Sequence, residues 1–184
     1  DDMSPIKAPR ALIQIHNNAL EAIVPEGFVD LGDGRTVPLK SGRLYSPDVL
    51  PKRSDGEITF TTSSPLSAFL DAVEQLPVRA VREAGPLPDA GEGKVDADFK
   101  INLPLVTGLN VDDIQIQGKA KITDGRFGKV AGKFDVQGFS LDVDVSQTQL
   151  DAKGDLIVNG VPAKIVGQRV FSQPFDQQPP LRIT

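Results

Sequence analysis

The sequence predicts a mainly β protein: an antiparallel meander forming a curved, groove-like sheet that carries one amphipathic helix. Three observations predict it. Apolar and polar residues alternate with a period of two through most of residues 95–165, as they do where a strand buries one face. Asp-Gly and Asn-Gly pairs interrupt the alternation, and such pairs favour tight hairpins because both central positions need positive φ. Gly and Pro number 17 and 15 among 184 residues, the composition of a chain that turns often.

In the first half, residues 11–15, 20–24, 28–31, 37–45 and 57–61 read as short strands, with Gly32-Asp33-Gly34 and Ser54-Asp55-Gly56 as turns. A helix is expected near residues 64–76. Ser64 suits its N-cap and Pro65 its first position. Leu66, Phe69, Leu70, Val73 and Leu76 then follow the i, i+3, i+4, i+7 spacing of an apolar stripe, and Pro77 ends it. A further helical turn is expected around residues 79–83. Residues 85–93 have the Gly/Pro composition of an exposed loop within one sheet.

The second half is more regular. Val95, Ala97, Phe99, Ile101 and Leu103 share one face, with Asp96, Asp98, Lys100 and Asn102 between them. Ile114, Ile116, Ala120 and Ile122 repeat the pattern against Gln115, Gln117, Lys119 and Lys121. Then come Val130, Phe134 and Val136; Phe139, Leu141, Val143 and Val145; Leu150, Ala152, Leu156 and Val158; and Val161, Ala163 and Ile165. Turns are expected at Thr123-Asp124-Gly125, at Gly138 and at Asn159-Gly160. Strands of similar length joined by tight turns imply antiparallel neighbours, because parallel pairing needs long crossovers. The chain thus divides into a strand-rich segment 1–92, a regular meander 93–171 and an irregular tail 172–184. Together these are expected to be one structural unit cut from a longer protein.

Composition excludes several chemistries. There is no Cys, so disulfides and thiolate metal sites are absent. The net charge is −5 and the basic residues are scattered singly, which disfavours a nucleic-acid partner. No apolar run reaches the roughly 18 residues of a membrane helix. His16 is the only histidine, and it reads as a strand-end residue. Asp96/Asp98 and Asp142/Asp144 could hold a cation or share acid and base roles, yet each pair simply continues the polar half of its alternation. Asp112-Asp113 fits a turn or strand edge. Neither a Gly-rich phosphate loop nor a Gly-x-Ser-x-Gly elbow occurs. The expectation is therefore no catalytic residue, no metal and no cofactor.

The runs Ile101-Asn-Leu-Pro-Leu105 and Val111-Asp-Asp-Ile-Gln-Ile-Gln-Gly-Lys-Ala-Lys-Ile-Thr-Asp-Gly125 resemble the AsmA-like superfamily. So do Phe139-Ser-Leu-Asp-Val143, Gly154-Asp-Leu-Ile-Val-Asn-Gly-Val-Pro-Ala163 and Val170-Phe171. The likeness is nearest to the central domain of uncharacterised function in YhdP- and TamB-type members. It covers residues 93–171 well and the first half loosely. The resemblance implies a periplasmic segment of an envelope protein, tethered elsewhere to the inner membrane. It also implies a β-groove that carries phospholipid towards the outer membrane. The inward positions would then line the groove: Phe99, Ile101, Ile114, Ile116, Ile122, Phe134, Val136, Leu141, Val143, Leu156 and Val158, faced by Phe69, Leu70 and Val73 of the helix. Two other readings stay open. One is a closed β-sandwich or barrel module binding protein or carbohydrate; the other is a hydrolase using Asp142 or Asp144.

Overall fold

The computed structural model describes residues 6–32, 34–75, 91–110, 113–130, 134–171, 173, 177–180 and 182–184. Among these, twelve strands form one antiparallel sheet with a single helix laid on it. The strands are β1 (Ile6–Lys7), β2 (Leu12–His16), β3 (Ala19–Val24), β4 (Gly27–Gly32), β5 (Arg35–Ser46) and β6 (Ser54–Pro65). After helix α1 (Leu66–Glu74) come β7 (Glu92–Leu105), β8 (Gln115–Val130), β9 (Phe134–Val145), β10 (Gln149–Val158), β11 (Val161–Val170) and β12 (Arg182–Ile183).

The topology is a meander from end to end. The long strand β5 pairs with β4 over its first half and with β3 over its second, so β3 and β4 form one line interrupted at Pro25-Glu26. β1 and β2 likewise form one line, on β4 and β3 respectively. From β5 onward each strand pairs with the next. The sheet does not close, because β1/β2 and β11/β12 lie at opposite edges. A closed barrel or sandwich, the other architecture that the alternation allows, is therefore not the one formed. Alternation specifies which face is apolar and is indifferent to whether the two edges meet.

Two hairpin turns carry positive φ at both central residues, the first as expected and the second not foreseen. Asn159 and Gly160, at φ 49° and 81°, join Val158 to its partner Val161. Asn17 and Asn18, at 48° and 67°, join His16 to Ala19 in the same way. Both are two-residue hairpins of the mirror-image type that matches strand twist.

Three expected turns are something else. Asp124, at φ 52°, sits inside β8, where the pairing with β9 shifts register between Ile122 and Gly125. Gly138, at φ 59°, sits inside β9 beside shifts on both flanks. Both are bulges, which require the same positive φ as a hairpin and switch the phase of the alternation by one residue. Inward positions therefore change from even (Ile116, Ala120, Ile122) to odd (Phe127) along β8. In β9 they change from odd (Leu141, Phe139) to even (Val136). Asp55 and Gly56 are also no turn: they pair with Pro104 and Leu103 in an unbroken ladder from Ser54 to Pro65.

The helix begins one residue later than the capping pattern suggests. Ser64 and Pro65 are held extended by pairing with Val95 and Lys94, so Pro65 takes the N-cap position without a side-chain cap. The Ser64 hydroxyl is buried with no hydrogen-bond partner among the described residues. Leu76, the turn expected at 79–83 and most of the 85–93 loop lie outside the described residues. The tail is not wholly irregular, since Ile183 and Arg182 pair with Ile165 and Val166.

The core lies on one face of the sheet. Leu66, Val95, Ala97, Phe139 and Leu156 are buried there, with Phe69, Leu70, Phe127, Val136 and Ile165 packed around them. Helix α1 touches β4, β5, β6 and β7, covering the end of the sheet at which Val95 lies.

Candidate apolar face

Register places the inward residues in cross-strand rows. Nearest the helix runs Ser64, Val95, Ile122, Leu141, Gly154 and Ile165. Below it runs Leu39, Thr62, Ala97, Ala120, Val143, Ala152 and Gly167. A third row holds Gly42, Phe60, Phe99, Gly118, Val145 and Leu150, and a fourth Ala22, Leu44, Ile58, Ile101 and Ile116. β3 and every strand from β5 to β11 thus contribute to a single apolar face, because the pleat sends alternate residues to the same side.

The candidate groove residues are divided by the helix. Phe69 and Leu70 of α1, with Phe99, Ile122, Val136, Leu141, Leu156 and Val158, pack around the core at the covered end. Val73 is half-buried on α1, and Val143 is half-buried in the second row. Ile101 and Ile116 lie in the fourth row, beyond the helix, and Ile114 immediately precedes β8. Phe134 starts β9 opposite Val130, and its side chain lies outside the description.

One member of an aromatic cluster, Phe60, was not singled out by pattern. The Phe99 ring stacks on Phe60 at 5.2 Å and on Phe69 of the helix at 6.1 Å between centroids. Phe60 lies within a Thr/Ser-rich stretch, Thr59–Ser64, and register with Phe99 reveals its place. A depression of about 780 Å³ lies behind the third row, on the polar side of the sheet. Outward residues such as Arg43, Thr59 and Lys100 line one flank and Thr61, Asp98 and Lys119 the other, with Phe60, Phe99 and Gly118 between them.

The apolar face continues to the sheet edges. Ile13 and Ile15 of β2 stand opposite Ala22 and Leu20 and remain 65% and 69% exposed. Val161 on β11 is 64% exposed.

The opposite face is polar and paired. Asp96 meets Lys94 at 3.1 Å and Lys40 at 3.4 Å. Lys100 meets Glu57 at 2.6 Å, and Arg43 meets Glu21 at the same distance. The Ser63 hydroxyl, then Lys94 and Lys40, hold the Asp96 carboxyl down to about 2. Asp142 stands opposite Lys121 and Lys153, and Asp144 opposite Lys119 and Asp151. These carboxylates therefore belong to a cross-strand charge ladder. Among the described residues no cluster of His, Asp and Glu has the spacing of a metal site. His16 is exposed at the end of β2, with Nε2 3.0 Å from the Asn17 amide nitrogen.

Compared with known proteins, the chain matches no family model, no curated protein and no solved structure.

Proposed function

We propose that this chain is a non-enzymatic, periplasmic segment of an AsmA-like envelope protein, whose open sheet face accommodates phospholipid acyl chains. One observation carries the reading. A single apolar face runs unbroken across the sheet, yet the helix overlies only one end of it and the sheet does not close. Aliphatic rows such as Leu44, Ile58, Ile101 and Ile116 lack any donor or acceptor that would select a polar ligand. Hydrocarbon needs none: burying each CH₂ contributes about 0.8 kcal/mol, so shape and aliphatic walls suffice. The resemblance of residues 93–171 to the AsmA-like superfamily supports the same ligand class and supplies the envelope location.

Native mass spectrometry of the chain purified from bacterial cells tests this. The expected result is phospholipid adducts that fall sharply in Ile58→Asp and Ile101→Asp variants. A folded wild-type chain carrying no lipid overturns the proposal.

A further inference from the structure

We infer that β2 is a self-complementary docking edge, through which two copies of this chain join their sheets by antiparallel pairing about Gln14. β2 pairs with β3 on one side and with nothing described on the other. All five of its residues are exposed, Leu12 at 51%, Ile13 at 65% and Ile15 at 69%. Natural edge strands are blunted by charges, proline, bulges or a covering element. The segment Leu-Ile-Gln-Ile-His has none of these devices. The opposite edge does: β11 carries Pro162, Lys164 and Arg169, and β12 covers Ile165 and Val166.

The backbone settles which register a second copy takes. In a two-residue turn the residue before it accepts a hydrogen bond from the residue after it. The His16 carbonyl therefore points at Ala19, and by alternation Gln14 and Leu12 also point towards β3. The N–H and C=O groups of Ile13 and Ile15 then face outward, unpaired. Centring an antiparallel pair on Gln14 sets Ile13 opposite Ile15 of the second copy, and each such pair exchanges both of its N–H···O bonds. Leu12 meets His16, Gln14 meets Gln14, and no like charges oppose one another. The two-fold axis lies perpendicular to the sheet, so both apolar faces look the same way. Ile13 and Ile15 of the two copies form a continuous aliphatic seam between them. The partner is thus a second copy of this chain, which offers the same uncharged edge in matching register.

The experiment uses the full chain and is independent of any lipid. Sedimentation equilibrium is expected to give twice the chain mass for wild type and once the chain mass for Ile15→Pro. Proline there removes only an outward N–H and fits an edge strand, so the circular dichroism of the monomer should be unchanged. The chain has no native Cys, which makes a single introduced thiol unambiguous. Opposed residues of a non-hydrogen-bonded pair have Cα atoms about 4.5 Å apart, within the disulfide range. Gln14→Cys should accordingly oxidise to a covalent dimer at least about tenfold faster than Val166→Cys, which is held in no such pair. A monomeric wild type, a dimer that survives Ile15→Pro, or equal oxidation rates would each overturn the inference.

Discussion

The tightest spot in the core yields a quantitative test. Phe139 is 1% exposed, stands opposite Gly125 in register, and stacks on Phe127 at 4.8 Å between centroids. A Cβ placed on Gly125 would overlap the Phe139 ring, although the Gly125 backbone has an ordinary negative-side φ. Glycine is required there by its neighbour and not by its own conformation. Overpacking a full core costs about 1–3 kcal/mol, offset by about 0.5–1 kcal/mol from replacing a strand glycine. Gly125→Ala should therefore destabilise the wild type by about 1–2 kcal/mol. Phe139→Ala alone should cost about 3–5 kcal/mol through lost contact and a cavity. In that background the ring is gone, and Gly125→Ala should be neutral or gain up to about 1 kcal/mol. The difference, a coupling of about 2 kcal/mol, is read from urea denaturation of the four proteins at constant m-value. If Gly125→Ala costs the same in both backgrounds within about 0.5 kcal/mol, the steric reasoning is wrong.

Three other perturbations probe different parts of the sheet. A Cβ on Gly154 would overlap the Ser140 carbonyl of the neighbouring strand, which cannot yield, whereas the nearest atom to one on Gly42 is 3.7 Å away. Gly154→Ala should lower the urea midpoint by the equivalent of about 2–3 kcal/mol, while Gly42→Ala should leave it unchanged or raise it. Ser64 is buried without capping the helix, so Ser64→Ala should be neutral or stabilising in a thermal melt. A loss of about 1 kcal/mol, the usual effect of removing a true cap, would contradict that placement. Asp96 titrates near 2 when folded and about 3.9 when unfolded, so its contribution is present above about pH 4 and lost as pH falls towards 2. Asp96→Asn should thus lower the urea midpoint at neutral pH and converge on wild type near pH 2; curves that stay parallel would rule out this linkage.

Most of the sheet was legible because its information is local. Alternation in residues 95–103 and 150–165 names the inward side without reference to a partner, and Asn159-Gly160 names its hairpin through φ alone. The errors arise where one local signal serves two structures. Asp124-Gly125 has the composition of a turn, but β8 continues past it because the ladder to β9 extends to Val130. Ser64-Pro65 has the composition of a helix start, but twelve consecutive pairs between β6 and β7 hold both residues in the strand. Pairing partners outweigh composition in both cases, and partners are not written in the segment itself. The same holds for the candidate face. Alternation identifies Phe99, Ile101 and Ile116 as inward, while Phe60 is recognised through its neighbour across the strand.

What alternation cannot separate is a core from a binding face, since both need the same aliphatic row. The distinction lies in what covers each row. At the covered end, Leu66 of the helix closes over Val95, and both are 0% exposed. Beyond Phe69 and Phe99 the rows continue through Ile58 and Ile101 at intermediate burial; they run to Ile116, 6% exposed, on one side and to Ile13 and Ile15, which are mostly exposed, on the other. Apolar surface left in water costs about 25 cal/mol per Å², and an open β edge adds unpaired backbone groups to that cost. The two costs call for different partners. Hydrocarbon relieves the first without touching the second; only another strand relieves the second. A lipid ligand on the face and a second copy at the β2 edge are therefore complementary requirements of one open sheet. Ile15→Pro should abolish association while leaving lipid on the monomer, because the rows formed by Leu44, Ile58, Ile101 and Ile116 do not depend on the outward N–H of residue 15.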